Sequence, residues 1–222
     1  TTFEADRRSG ERQFLYFEGA NYLTRVWLNG QPLGEHEGGF TPFQFEATAH
    51  LRDGKNSLVV ALDSTRRKNG IPSLDFDWFN YGGLTRSVHL VHVPSTFIAT
   101  LRVAMRDEGR GAAVELMARL DGPAKSGARL RFSIPELNIA LNASADENGI
   151  ARAVARLPRI TRWSPTSPRR YDVQALLGDH VVRDRVGLRT ISVCGNDLCL
   201  NGEKIFLRGI SVHEERLGAV GG

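Results

Sequence analysis

The stretch TRVWLNG, residues 24–30, decides the fold class of this chain. Its β-branched and aromatic residues form a short apolar run, Val26-Trp27-Leu28, that ends in Asn29-Gly30. A short apolar run bounded by a turn signal is typical of a β-strand, and an Asn-Gly pair supplies the positive φ values of a tight hairpin turn. The stretch therefore predicts a strand that ends in a β-hairpin.

The same pattern recurs along the chain. Short apolar runs, alternating or rich in β-branched residues, are bounded by Gly, Asn, Asp or Pro, as in RQFLYFE (12–18), NSLVVALD (56–63) and TRSVHLVHVP (85–94). A second Asn-Gly pair, Asn201-Gly202, predicts another hairpin. Strands at intervals of about 8–12 residues with turn signals between them indicate a mainly β fold of sandwiches or barrels.

Two breaks in this pattern predict domain boundaries. Pro94, in HVPSTFIAT, has no N–H to donate, so it ends one strand before a new set of strands begins near Ile98. A second break falls near residue 193, where a hairpin leads into an apolar strand. We therefore expect two β domains, residues 1–94 and 95–192, followed by residues 193–222.

Composition and charge exclude several classes of partner. The 222 residues are 41% hydrophobic and 24% charged, as in a folded globular protein. The 29 basic residues are spread among 25 acidic ones rather than clustered, which argues against a nucleic-acid interface. The chain contains no run of about 18 apolar residues, so its sequence predicts no membrane-spanning helix. The N-terminus shows no signal-peptide pattern, and both bacterial cytoplasm and periplasm remain open.

The two cysteines, Cys194 and Cys199, do not predict a metal site. Two thiols cannot complete a four-ligand zinc site, and their spacing is not C-x-x-C. A disulfide between them would need a turn at 195–198 and an oxidising compartment. We expect reduced, structural thiols, and we expect no cofactor.

A second polar cluster, EHEGG, offers Glu35, His36 and Glu37. Metal binding by these residues would need a further ligand, so structural roles in a turn are favoured.

The densest polar and aromatic cluster is IPSLDFDWFNYGGLTRS, residues 71–87. Aromatic rings interleaved with carboxylates and an amide suit carbohydrate, because sugar C–H faces lie on rings while polar groups bind the hydroxyls. An equally good interpretation is a loop held to the core by its aromatic side chains, with Asp75 or Asp77 capping turns.

The tail places His213, Glu214 and Glu215 after an apolar run. Neighbouring residues on a strand point to opposite faces, whereas the two carboxylates of a glycosidase must converge on one bond. Glu214 and Glu215 are therefore not a catalytic pair, although His213 or Glu214 could line a site at the end of a strand.

Four runs together resemble glycoside hydrolase family 2, the family of β-galactosidases, β-glucuronidases and β-mannosidases. In chain order these runs are GANYLTRVWLNGQPLGEHEGGFTPFQFEATAHLRDGKNSLVVALD, DWFNYGGLTRSVHLVHVP, RWSPTSPRRYDVQALL and VGLRTISVCGNDLCLNGEKIFLRGISVHEE. The resemblance implies a jelly-roll sugar-binding domain at 1–94 that lacks its first strands and an immunoglobulin-like sandwich at 95–192. It also implies a (β/α)8 catalytic barrel whose first strand is IFLRGISV.

The resemblance also implies roles for individual residues. Asp77 matches the family's acid that contacts the sugar in the barrel mouth, and Asn80 and Tyr81 shape its loop. His213 matches the histidine after the first barrel strand, and Glu214 follows it. The family's catalytic acid and nucleophile match nothing in this chain, and RLGAVGG (216–222) departs from the family pattern.

These observations predict the non-catalytic N-terminal part of a retaining exo-β-glycosidase acting on a β-galactoside or β-glucuronide. Its partners would be carbohydrate and the rest of its own barrel, and homo-oligomer formation stays open. The alternative is a stand-alone carbohydrate-binding or adhesion module of two β-sandwiches.

Overall fold

The computed structural model of the protein describes residues 1–74, 81–108, 111–157 and 159–211. Internal contacts divide the chain into one unit that contains Thr1–Pro94 and another that contains Ser95–Ile210. Within the described ranges the fold is mainly β, and its one helical element is a 3-10 turn at Pro135–Leu137. The prediction of a mainly β chain is confirmed. No described segment forms a helix that is long and apolar enough to cross a membrane.

The first unit is built from antiparallel strands. In chain order these strands are β1 (Thr2–Ala5), β2 (Glu11–Phe17), β3 (Ala20–Asn21), β4 (Leu23–Leu28), β5 (Gln31–Glu37), β6 (Phe43–Glu46), β7 (Gly54–Asp63), β8 (Gly83–Leu84) and β9 (Val88–Pro94). They form a sheet in the order β1-β7-β4-β5, a second sheet in the order β6-β2-β9, and a short pair β3-β8.

The two larger sheets of this unit pack face to face around one apolar cluster. Val26 and Leu28 come from β4 of the first sheet, and Leu15 and Phe17 come from β2 of the second. Thr24, which shares their face of β4, is also fully buried, whereas Arg25 on the other face is exposed and Trp27 is half-buried. Burial of each of these large side chains contributes about 1.5–3 kcal/mol.

The first predicted hairpin is confirmed at Asn29-Gly30. Leu28 lies opposite Gln31, so the turn has two residues, with φ of 52° at Asn29 and 82° at Gly30. The Asn29 side chain also fixes the turn, since Oδ1 accepts the backbone N–H of Ser57 at 2.9 Å and Nδ2 donates to His50 O at 2.8 Å.

The second unit has three sheets. Its strands are β10 (Phe97–Glu108), β11 (Gly111–Asp121), β12 (Arg129–Ile134), β13 (Ile139–Ser144), β14 (Ile150–Leu157), β15 (Tyr171–Leu177), β16 (His180–Val186), β17 (Ile191–Cys194), β18 (Asp197–Leu200) and β19 (Glu203–Ile205). The sheet orders are β10-β11-β14, β13-β12-β15-β16 and β17-β18-β19. The first two sheets pack around a core that includes Leu116, Phe132 and Val173, each of which is fully buried.

The third sheet confirms the second Asn-Gly hairpin. Leu200 lies opposite Glu203, and the intervening Asn201 and Gly202 have φ of 55° and 86°. The Asn201 side chain again spans the turn, because Oδ1 accepts the Thr190 N–H at 3.1 Å and Nδ2 donates to Trp163 O at 3.0 Å.

The expectation of reduced thiols is wrong in the structure, where Cys194 and Cys199 are joined by a disulfide. The hairpin register explains the correction. Cys194 lies opposite Asp197 and Cys199 opposite Ser192, so the two cysteines are diagonal neighbours on one face, with Cα atoms 6.0 Å apart. That separation lies in the usual range for a disulfide.

The predicted strand IFLRGISV is strand-like only at its start. Strand β19 ends at Ile205, and residues 206–211, which the structure describes, form no strand. Phe206 and Ile210 are 84% and 89% exposed. A barrel strand is held by hydrogen bonds to neighbours on both sides, so its formation here stays a prediction.

Candidate functional site

The aromatic and polar cluster at 71–87 is described at its two ends. Residues 75–80, which include Asp75, Asp77 and Asn80, lie outside the described residues. Ile71–Leu74 and Tyr81–Ser87 are described, so the site can be built from the contacts that hold these flanking segments.

Asn21 holds the second of the two flanking segments. Its side chain is buried, and Nδ2 donates a 2.8 Å hydrogen bond to the carbonyl oxygen of Tyr81. The backbones of β3 and β8 also pair as short antiparallel strands, with Asn21 opposite Gly83 and Ala20 opposite Leu84. A buried amide with a hydrogen-bonded partner is rigid, because breaking the bond would leave a polar group without solvent.

Tyr22 holds the first flanking segment. Its ring is buried, and its hydroxyl accepts a 3.3 Å hydrogen bond from the backbone N–H of Ile71. Adjacent residues of the chain therefore fix both ends of segment 75–80. We call the residues Asn21, Tyr22, Ile71 and Tyr81 the loop base.

Two glycines let the chain pass close to β7 beside the loop base. A Cβ on Gly82 would collide with the side chain of Ser64, and Gly83 has φ of 115°, where a side chain is strained. The pair in NYGG therefore has a steric cause within the described structure.

Asp63, the last residue of β7, forms a compact charged turn next to Ser64. Its Oδ1 accepts the backbone N–H of Thr65 at 3.0 Å, and Arg67 Nη2 donates to its Oδ2 at 2.9 Å. The hydrogen bonds from Thr65, then that from Arg67, lower the pKa of Asp63 to about 2. The carboxylate thus stays ionised and fixes the start of the segment that leads to Ile71.

His36 lies on strand β5, so its predicted role in a turn is wrong. Its ring stacks on Phe43 with centroids 4.0 Å apart, and burial lowers the pKa of the imidazole. Glu35 instead pairs with Arg25 across the ladder at 2.7 Å, and Glu37 ends the strand. Alternation along β5 places His36 on the opposite face from Glu35 and Glu37, and the described residues contain no group of three or more metal-binding side chains.

Tyr81 is the one predicted substrate-binding residue whose position is described. Its side chain is 60% exposed, while its carbonyl is held by Asn21. An exposed aromatic ring on a fixed backbone is suited to packing against the C–H face of a sugar. Asp77, Asn80, His213 and Glu214 lie outside the described residues, so their predicted contacts with substrate remain predictions.

Sequence reasoning missed Asn21 and Tyr22 as supports of this site. Their partners lie 60 and 49 positions away, so no local periodicity could reveal the pairing. The available signal was Asn21-Tyr22 itself, two hydrogen-bonding side chains between Ala20 and Leu23, where β3 ends and β4 begins.

Comparison with known proteins identifies a family model and relatives that this chain resembles. The model for glycosyl hydrolases family 2, sugar binding domain, matches residues 1–94. A putative β-glucuronidase of Formosa agariphila is 30% identical over 92% of this chain, and a β-galactosidase of Clostridium acetobutylicum is 25% identical over 96%. The chain spans only about a quarter of these relatives, 26% and 25% of their lengths.

Solved structures agree with the match. The chain is similar to Bifidobacterium dentium β-glucuronidase complexed with coumarin-3-O-glucuronide, with a TM-score of 0.82 and 25% identity, over 92% of this chain and 41% of that one. Ruminococcus gnavus β-glucuronidase shares the fold with a TM-score of 0.77 over 94% of this chain and 38% of that one. Residues 1–94 therefore match the sugar-binding domain of glycosyl hydrolases family 2, within a chain that is similar to the N-terminal part of β-glucuronidases and β-galactosidases.

Proposed function

We propose that this chain is the non-catalytic N-terminal part of a retaining exo-β-glycosidase that hydrolyses a terminal β-glucuronide or β-galactoside. The observation that carries the proposal is the extent of the similarity. The matches to glycosidases run through both units, over 92–96% of this chain, and do not stop at the sugar-binding domain.

The proposal includes a finer assignment of the fold. Residues 1–94 would be a jelly-roll domain, 95–192 an immunoglobulin-like sandwich, and 193–222 the hairpin and first strand of a (β/α)8 barrel. The two packed sheets in each unit support the first two assignments. The exposed side chains after β19 support the third, because an unpaired barrel strand would expose them.

The proposed role of the first unit is to form one rim of the sugar pocket. Asp77, Asn80 and Tyr81 would contact or shape the site for the sugar, and His213 and Glu214 would meet them from the start of the barrel. The loop base supports this role, because Asn21 and Tyr22 fix both flanks of segment 75–80. Fixed flanking segments reduce the ordering cost that a binding loop has to meet when substrate binds.

The chemistry of the proposed reaction requires residues from outside this chain. Retaining hydrolysis uses a carboxylate nucleophile and a second carboxyl group as acid and base, about 5 Å apart. The resemblance places neither of them in residues 1–222. The chain would bind and position sugar, and the remainder of the same enzyme would break the bond.

A panel of nitrophenyl β-glycosides tests the proposal. The polypeptide extended through its downstream reading frame should release nitrophenol from the β-glucuronide or the β-galactoside, and residues 1–222 should release none. Turnover by residues 1–222 alone would contradict the non-catalytic role. An extended polypeptide that binds these sugars without cleaving them would favour the carbohydrate-binding module instead.

A further inference from the structure

The outer face of the sheet β13-β12-β15-β16 carries arginines on neighbouring strands. Arg131 of β12 lies opposite Leu176 of β15. Gln174, two residues before Leu176, lies opposite Arg183 of β16. Residues that are directly opposite or two apart on a strand share a face, and the intervening residues of these strands lie in the core. We call the outward set the arginine face, and its basic members, all exposed, are Arg129, Arg131, Arg183 and Arg185.

Positive charge predominates on the arginine face. Among the outward positions of these four described strands the one carboxylate is Asp172, and its Oδ1 accepts a 2.7 Å hydrogen bond from Arg185 Nε. Glu136, next to the face, accepts the Asp172 N–H at 3.2 Å, so both carboxylates lie at the Arg185 end. The other three arginines of the face have no carboxylate partner in the part of the chain that the structure describes.

The second unit as a whole shares this excess of basic residues. Residues 95–192 contain 16 basic and 10 acidic residues, a net charge of +6, whereas residues 1–94 contain 10 basic and 11 acidic ones. The arginines of the second unit are spread along the sequence, and the register between strands brings four of them onto one surface. A surface of one sign raises the local concentration of ligands of the opposite sign.

The arginine face is concave in two adjoining places. The residues that line a groove of about 730 Å³ include Arg129, Arg131, Asn142, Ser144 and Leu176. Those that line a second groove of about 470 Å³ include Gln174, Arg183 and Arg185. Leu176 and Gln174 are successive outward residues of β15, so the two grooves adjoin on that strand. Because β12 and β16 flank β15, Arg131 and Arg183 lie on strands about 10 Å apart, a span that suits a chain of sugars better than a single sugar.

We propose that the arginine face binds an acidic polysaccharide, a polymer whose sugar units carry carboxylates. Guanidinium groups suit this ligand, because one arginine can donate two parallel hydrogen bonds to one carboxylate. The amide and hydroxyl groups of Asn142, Ser144 and Gln174 lie on the same face and suit sugar hydroxyls. The choice of a polysaccharide rests on the proposed function, in which the enzyme acts on a terminal β-linked sugar, and a glucuronide is itself a carboxylate.

The chemistry of the face distinguishes this ligand from single-stranded nucleic acid. No outward position on the four described strands carries an aromatic ring, and such rings are the surfaces on which unpaired bases stack. Leu176, which is 37% exposed opposite Arg131, instead offers apolar contact to the C–H groups of a sugar. Binding of the polymer here would keep its chain ends near the enzyme without taking part in bond cleavage.

Two double substitutions that remove the same charge test the arginine face. Arg131→Gln with Arg183→Gln acts on the face itself. Arg102→Gln with Arg152→Gln is the matched control, because both residues are exposed on the sheet β10-β11-β14 of the same unit, on either side of Met117. Binding of residues 1–222 to polyglucuronate is measured by isothermal titration calorimetry at low and at high salt. Dextran serves as a neutral polymer, and double-stranded DNA serves as an anionic polymer of another class.

The wild-type chain should bind polyglucuronate at low salt, bind it more weakly at high salt and not bind dextran, because ions screen exposed charges. The double variant of Arg131 and Arg183 should bind at least about fivefold more weakly, and the control should stay within about twofold of the wild type. Equal losses in the two variants would overturn the proposal, since net charge alone would then explain binding. So would no binding by the wild type, or binding of DNA that is as tight and is lost with the same two arginines.

Nitrophenyl glycoside assays on the polypeptide extended through its downstream reading frame keep this proposal separate from the proposed function. A selective loss of polyglucuronate binding in the variant of Arg131 and Arg183, without hydrolysis by the extended wild type, would support the arginine face and refute the function. Hydrolysis by the extended wild type, with equal polyglucuronate binding by the two variants, would do the opposite.

Discussion

Asn21 donates a 2.8 Å hydrogen bond from its buried side chain to the carbonyl oxygen of Tyr81, 60 positions later in the chain. The next residue, Tyr22, accepts a hydrogen bond from Ile71. One dipeptide at the junction of β3 and β4 thus fixes both flanks of the segment that contains Asp77. The contribution of these hydrogen bonds to protein stability and the proposed role of Asp77 in substrate binding can be tested separately.

Substitution of Asn21 should destabilise the first unit. Asn21→Ala removes the donor and leaves the Tyr81 carbonyl without its partner, which costs about 1–3 kcal/mol of unfolding free energy. Urea unfolding of residues 1–222 measures the loss. Asn142→Ala, at an exposed position on β13, is the control and should change stability by less than about 0.5 kcal/mol. Equal midpoints for the two variants would contradict the role of Asn21.

Substitution of Asp77 should affect sugar binding rather than folding. In the extended enzyme, Asp77→Asn should raise KM and lower kcat while the thermal midpoint stays unchanged, because the carboxylate is proposed to serve the substrate. Steady-state kinetics and a melting curve on the same sample check this. Unchanged kinetics with a lower midpoint would instead support the alternative that Asp77 caps a turn.

Asp63 should contribute to stability only above its native pKa. That pKa is lowered from 3.8 to about 2, so between these values the unfolded chain binds more protons than the folded one. The contribution is complete above about pH 4 and is lost as pH falls through about 2. NMR titration should show that Thr65→Ala, which removes the hydroxyl group and keeps the backbone N–H, raises the pKa of Asp63 more than Arg67→Gln does, since the side-chain hydrogen bond from Thr65 is the largest cause of the shift. The reverse order would contradict this account of the turn.

His180 should make the second unit sensitive to mild acid. Its Nδ1 accepts the Ile98 N–H at 3.2 Å, and burial lowers its pKa below 6.5. A lowered pKa means that the neutral ring stabilises the folded state above about pH 6.5, and that this contribution is lost as pH falls further. His180→Gln should therefore reduce the difference in unfolding free energy between pH 7.5 and pH 5.

His36 supplies the comparison for this pH effect. Burial also lowers its pKa, but it lies in the first unit and stacks on Phe43. His36→Gln should remove a separate part of the pH dependence, and the double variant should remove the sum of the two, because the residues share no partner. A pH dependence that neither variant alters would contradict both assignments.

The predictable features of this fold are those whose cause is local. Asn29-Gly30 and Asn201-Gly202 determine their own turns through positive φ values, so both hairpins were predicted from dipeptides. The short apolar run Val26-Trp27-Leu28 likewise predicted the strand that leads into the first of these turns. These features need no knowledge of distant residues.

The structural features that sequence reasoning missed depend on residues that are distant in the sequence or on the register between strands. Asn21 and Tyr22 gain their roles only when Tyr81 and Ile71 are brought to them by the sheet. The disulfide depended on a diagonal register that the spacing of the cysteines left open. The exposure of Ile191, Val193 and Leu198 could not be read from the sequence, because a strand pattern does not indicate whether its apolar side chains are covered.

The most direct test of the central claim is the stereochemistry of hydrolysis by the extended polypeptide. Proton NMR of the reaction with a nitrophenyl β-glucuronide or β-galactoside shows which anomer of the free sugar forms first. A retaining enzyme of this family gives the β-anomer first, followed by slow mutarotation. Initial release of the α-anomer, or no hydrolysis of either glycoside, would contradict the claim that this chain is the N-terminal part of a retaining exo-β-glycosidase.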